Sequence, residues 1–144
     1  MDLSNLEVVT EAVFFQFNHP ISDEPLFDVE GEGEDAIKHP VGAWIYGQDS
    51  EQFKKRKRQI QDQKLETVVS QNKKKIKAED IERESVATIC ACVQKFERIK
   101  FQGMDLTDQR GLFPAFFEKF PWAQEQIDRA IMKRSLFIKA SQMS

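Results

Sequence analysis

Five consecutive cations, Lys54-Lys55-Arg56-Lys57-Arg58, follow directly on Asp49-Ser50-Glu51-Gln52-Phe53, and this junction limits the architectures open to the chain. Asp49 and Gln52 have the spacing of a capping box, in which the Asp carboxylate accepts free helix N–H groups and Gln52 reaches back, so a helix is predicted to start here. At about 100° per residue, five successive residues encircle a helix, and burying their charged heads is costly. The first turns are therefore expected to project from the core or to meet an acidic surface. Ahead of the junction apolar residues alternate as in strands; beyond it they recur at helical spacing.

Val9, Val13, Phe15 and Phe17 alternate with more polar positions in a stretch rich in β-branched and aromatic residues, which predicts a strand. Asn18-His19-Pro20 ends it. Residues 21–35 carry seven acids, two glycines and no cation, the make-up of a solvated loop. The order of Asp23, Glu24, Asp28, Glu30, Glu32, Glu34 and Asp35 around Gly31 does not match the calcium-loop spacing. Val41, Ala43 and Ile45 predict a second strand. Together the two strands would form an antiparallel ribbon, which needs helices to cover its apolar face. His19 and His39 each precede proline and read as loop residues.

From Ser50 the helical pattern runs to about Lys75, with Phe53, Ile60, Leu65, Val68 and Val69 as a sparse packing face. Residues 54–77 hold ten Lys and Arg against Asp62 and Glu66, closing on Lys73, Lys74, Lys75 and Lys77. The next helix opens on Glu79, Asp80, Glu82 and Glu84. Its stripe of Ile81, Val86, Ile89, Cys92, Val93 and Phe96 makes it the best core candidate. Cys90 and Cys92 point about 160° apart on such a helix, which disfavours a shared metal or a mutual disulfide, so they read as reduced core or boundary residues. Gly103 and Thr107-Asp108 break the pattern. A short helix then starts near Gly111 or Leu112 and shares Leu112, Phe113, Phe116, Phe117 and Phe120 on one face. Pro121 opens a last helix bearing Trp122, Ile127, Ala130, Ile131, Phe137 and Ile138 on one side, with Met132 and Leu136 left for a partner.

The expected architecture is one α+β domain over residues 1–144, predominantly α. Residues 1–47 form the antiparallel β ribbon with its acidic loop, and residues 48–144 a body of about four helices. No apolar run reaches the roughly 18 to 20 residues of a membrane helix and no signal peptide opens the chain, which predicts a soluble intracellular protein. No phosphate-binding glycine loop, metal spacing or nucleophile elbow is present, so neither an enzyme nor a cofactor is expected. The cations at Lys54, Lys55, Arg56, Lys57 and Arg58 admit three readings: a solvated helix, a protein-docking surface, or a nucleic-acid contact. The last is the least favoured, because no aromatics interleave with the cations. The Leu112–Phe120 cluster reads first as core and second as a face buried against a partner.

Three segments carry a resemblance. They are Asn18-His19-Pro20 with Asp23-Glu24-Pro25-Leu26; Gly47-Gln48-Asp49-Ser50-Glu51-Gln52-Phe53 entering a basic helix; and Phe117-Glu118-Lys119-Phe120-Pro121-Trp122-Ala123-Gln124-Glu125-Gln126-Ile127-Asp128. In order and spacing the chain resembles the tail assembly chaperones of phages with long, flexible, non-contractile tails. It departs from them in the acidic insertion from Asp28 to Lys38 and in the interruption by Gly111 and Pro114. The resemblance implies a non-enzymatic protein of the host cytoplasm, absent from the finished virion. Such a protein keeps the tape-measure protein soluble and recruits tail-tube protein, and its gene can give a second, frameshifted product. A chaperone of that kind needs accessible apolar helix faces with charged rims. The expected contacts are Phe113, Phe116, Phe117 and Trp122 for the apolar part and Lys54 to Arg58 for the polar part, with self-association also open. The competing class is a small nucleic-acid-binding regulator using the basic helix 54–77.

Overall fold

The computed structural model describes residues 1–70 and 78–142, with the side chains of 66–70 and 79 outside the description. Strand β1 (Val13–Gln16) pairs antiparallel with β4 (Gly42–Ile45), as the alternating sequence predicts. Between them, β2 (Phe27–Glu30) and β3 (Ile37–Pro40) form a second antiparallel pair. The acidic stretch is thus a β ribbon rather than a loop. Its turn is made by Gly31 and Gly33, both at positive φ, the left-handed conformation that only glycine adopts without steric cost.

Helix α1 (Glu51–Ser70) begins at the predicted junction with a different cap. The buried Ser50 hydroxyl accepts from the Phe53 N–H at 3.2 Å and donates to the Gly47 carbonyl at 2.7 Å. Asp49 instead turns away to Arg134. The capping-box reading of Asp49 and Gln52 is therefore corrected: Ser50 caps the helix, because two hydrogen bonds from Arg134 turn the Asp49 carboxylate away from the helix N–H groups. The expected continuation to Lys75, with Lys73, Lys74, Lys75 and Lys77, falls outside the described residues, as do the side chains of Val68 and Val69.

Helix α2 (Ala78–Cys92) stops where the expected core stripe continues, and Val93 and Phe96 lie instead in β5 (Val93–Glu97). That strand pairs antiparallel with β4, giving a sheet of order β1-β4-β5. Arg110 stabilises the switch from helix to strand. Its guanidinium donates to the Cys90 carbonyl at 2.7 Å and the Val93 carbonyl at 2.9 Å, satisfying groups a helix end leaves without partners. The Tyr46 N–H takes the Cys92 carbonyl at 2.7 Å. The sheet therefore draws on both sides of the Asp49 junction, and the helical body beyond residue 48 supplies its third strand.

A small hairpin of β6 (Lys100–Phe101) and β7 (Met104–Asp105) turns on Gln102 and Gly103. Helices α3 (Phe113–Lys119) and α4 (Pro121–Met132) follow, each with a proline in its first turn and with the predicted bend at Phe120-Pro121 between them. The last helix is shorter than expected. Phe137 and Ile138 lie beyond it, where 3-10 turns at Arg134–Phe137 and Lys139–Gln142 carry the chain back to Val8 and Val9. Among the described residues, four helices with an N-terminal antiparallel ribbon make the fold α+β and predominantly α.

The core lies where the three-stranded sheet meets the end of α2 together with α3 and α4. Phe17, Phe96, Phe113, Phe117, Ile127 and Phe137 are fully buried there. Phe96 is at its centre, edge-on to Phe113 at 4.8 Å and to Phe116 at 5.1 Å between ring centroids, the offset geometry that aromatic quadrupoles favour.

Candidate functional site

The structure separates the two groups of residues expected to share a partner surface. Phe113 and Phe117 are wholly buried and Phe116 nearly so, locked into the ring cluster around Phe96. None of the three presents a surface to a partner in this fold, so the aromatic docking face is corrected to core. The reason is that β5 brings Phe96 into their midst, a contact invisible in the local spacing. Trp122 is half-buried, edge-on to Phe17 at 5.9 Å and to Phe120 at 6.2 Å.

The basic turn is exposed, as its encircling charge requires. Lys54, Lys55, Lys57 and Arg58 face solvent, and Arg58 makes a loose contact with Glu51 at 3.7 Å. Arg56 is the exception. It shares the inward face with Phe53 and Ile60, and its Nε is shielded from solvent without a hydrogen-bond partner. At its start, α1 is tied to the body by Ser50, by Phe53 and by Asp49, whose carboxylate takes two hydrogen bonds from Arg134, at 2.7 and 3.1 Å. Farther along, α1 packs chiefly on α2.

Both helices are rooted in the core at one end only, α1 at Phe53 and α2 at Ile89 and Cys92. They therefore run antiparallel, with their other ends away from it. On those outer parts Leu65 is 64% exposed and Ile81 54% exposed, among charged neighbours. Sequence reasoning assigned both to packing faces. Their solvent exposure follows from the length of α1, 20 residues or about 30 Å, which outreaches the core.

A second feature escaped the sequence altogether. The Gln126 side chain bonds both the N–H and the carbonyl of Asn18, each at 2.9 Å, clamping the end of β1 to α4. The clamp borders an open cleft of about 390 Å³ lined by His19, Trp122, Arg129 and Lys133 among others. Gln48 reaches the Met132 carbonyl at 3.3 Å, and Gly47 lies against Phe137 so closely that a Cβ there would sit 2.7 Å from the ring. All three segments behind the chaperone resemblance thus meet around α4 and the turn that follows it.

Among the described residues no three His, Cys, Asp or Glu side chains converge to hold a metal ion, and no helix is long and apolar enough to cross a membrane. Burial pushes the Cys90 thiol up to about 11 and the Cys92 thiol up to about 12, which keeps both protonated and poorly nucleophilic near neutrality. Compared with known family models, curated proteins and solved structures, the chain matches none.

Proposed function

We propose that this protein is a non-enzymatic assembly chaperone of phage tails, which binds the tape-measure protein in the host cytoplasm and hands it on to tail-tube subunits. The observation that carries the reading is the α1–α2 pair. Two antiparallel helices leave the core with Leu65 and Ile81 uncovered, set among the charged side chains of Lys64, Asp80, Glu82 and Arg83. An apolar stripe on a long helical client requires an accessible apolar contact, and the charged rim keeps the loaded complex soluble. The apolar contact is thus assigned to Leu65 and Ile81 instead of to the Phe113–Trp122 segment, while Lys54, Lys55, Lys57 and Arg58 remain the polar docking residues.

Co-expression with the tape-measure protein from the same late gene cluster tests the reading. The wild-type chain is expected to raise the soluble fraction of the client several-fold, and a Leu65→Asp/Ile81→Asp variant is expected to lose that effect while keeping its own melting temperature. Equal solubilisation by the variant refutes the apolar assignment. Recovery of the protein from purified virions would favour a structural connector.

The exposure of four cations on one helical turn favours nucleic-acid binding as the second reading. Titration with duplex and single-stranded DNA at two salt concentrations separates the two. Tight, steeply salt-dependent binding that disappears when Lys54, Lys55, Lys57 and Arg58 are neutralised belongs to a regulator.

A further inference from the structure

Strand β1 lies at the edge of the three-stranded sheet, with β4 on one side and no strand paired on the other. The Phe17 N–H donates to the Val41 carbonyl at 2.9 Å, and this fixes the alternation along the pair. Main-chain groups of Val13, Phe15 and Phe17 turn toward β4; those of Phe14, Gln16 and Asn18 turn toward the open edge. At Asn18 the edge is filled. The Gln126 side chain accepts from the Asn18 N–H and donates to its carbonyl, each at 2.9 Å, as a residue of a neighbouring strand would. At Phe14 and Gln16 the main-chain N–H and carbonyl have no partner among the described residues.

Helix α4 borders this edge and runs antiparallel to β1, since Gln126 meets Asn18 while Phe137, beyond the helix, meets Val9. Between strand and helix lies the open cleft, with Phe15 on its β1 side and Trp122, Ala130 and Leu136 as further apolar wall. Its charge is divided along its length. The acids Asp23 and Glu125 lie at the Asn18 end, whereas Arg129 and Lys133, one turn apart on α4, line the stretch toward Leu136. Both cations are exposed and enter no ion pair among the described residues. Free main-chain donors and acceptors recurring every second residue, about 7 Å apart, match the main chain of another extended segment. The unpaired cations beside them call for a carboxylate on it.

We propose that the groove between β1 and α4 binds an extended, acidic segment of another protein, which joins the sheet as an added strand beside β1. Its main chain bonds Phe14 and Gln16, an apolar side chain enters the cleft against Phe15 and Ala130, and a carboxylate near one end reaches Arg129 and Lys133. Gln126 closes the groove at Asn18 and so sets where the added strand stops. This groove is separate from the α1 and α2 surfaces of the chaperone reading, so either assignment can fail alone.

A synthetic library of random, end-capped octapeptides, selected against the purified full chain, supplies the probe. Recovered peptides are expected to carry an acid near one end and apolar residues at alternate positions. N-methylation of every second peptide residue is expected to weaken binding at least about tenfold and methylation of the residues between to change it little, because successive N–H groups of a strand point to opposite sides. Arg129→Glu/Lys133→Glu is expected to weaken binding at least about tenfold with an unchanged melting temperature. Hydrogen exchange of the Phe14 and Gln16 amides is expected to be fast in the free chain and slow in the complex. Recovery of no peptide beyond those that the charge-reversed variant also binds overturns the proposal. So does a methylation series without alternation, or exchange at Phe14 and Gln16 that the peptide leaves unchanged. Amides already protected in a free chain that sediments as an oligomer would give the edge to a second copy, and that too overturns it.

Discussion

The Arg134 guanidinium grips the Asp49 carboxylate with two hydrogen bonds, Nε to Oδ2 at 2.7 Å and Nη2 to Oδ1 at 3.1 Å. A residue from the last turns of the chain thereby holds the entrance of α1, 85 positions upstream in sequence, and leaves Ser50 to cap the helix. The hydrogen bond from Arg134 is the main cause that holds the Asp49 carboxyl below its ordinary value of 3.8. A carboxyl with a lowered folded pKa contributes stability above its unfolded pKa and loses it as pH falls through the folded value. Arg134→Met is therefore expected to lower the melting temperature slightly at neutral pH and to flatten the acid limb below about pH 4. The effect is small because the Arg134 side chain is 56% exposed. Thermal melts between neutral and acid pH check it, and an unchanged acid limb would count against the pair.

The cap itself is separable from that ion pair. Ser50→Ala removes an acceptor for the Phe53 N–H and is expected to cost about 1 kcal/mol, read as a shift in the urea midpoint. Gln52→Ala is expected to stay within about 0.5 kcal/mol of wild type, since the exposed Gln52 takes no part in the cap. A reversed order of the two would restore the capping box.

Core and surface apolar residues are expected to part company sharply. Phe117→Ala empties a fully buried site in contact with Phe96 and Phe116 and is expected to cost about 3–5 kcal/mol. Leu65→Asp, on an exposed turn of α1, is expected to change stability by less than about 0.5 kcal/mol. Chemical denaturation of both variants beside wild type makes the comparison.

Cys90 and Cys92 are expected to resist alkylation in the folded protein at neutral pH and to react at the rate of global opening. Their raised folded pKa values mean that alkaline pH favours the unfolded chain, because its thiols ionise first, from about pH 8.5 upward. Labelling with iodoacetamide, with and without denaturant, gives the measurement. Rapid native labelling would show that the end of α2 opens locally.

Much of the fold is legible in residue order. Alternation marks β1 and β4, proline marks the starts of α3 and α4, and of the cations at 54–58 all but Arg56 face solvent, as the cost of burying charge requires. The candidate site is less legible. Phe113, Phe116 and Phe117 show the same helical spacing whether their face meets a partner or the chain's own core, and the choice falls to Phe96. The ribbon at 27–40 was obscured by its acids: Asp28 and Glu30 read as solvated loop, yet both are hydrogen-bonded by Arg98, 68 residues from Glu30. The Asn18–Gln126 clamp joins two polar residues with no periodic signal of their own.

Residue order alone dictates the switch from strand to helix near residue 50, the solvent exposure of most of the basic turn and the bend at Pro121. Each follows from forces acting over one or two turns: capping, ring constraint and the cost of burying charge. Long-range packing makes Ser50 and not Asp49 the cap of α1, places Val93 and Phe96 in a strand, and seals the aromatic face of α3. Those outcomes depend on partners far away in the chain, Arg134, β4 and Phe96, and local periodicity carries no record of them. At the junction, the local rule fixed where the helix begins, and a distant guanidinium fixed which side chain begins it.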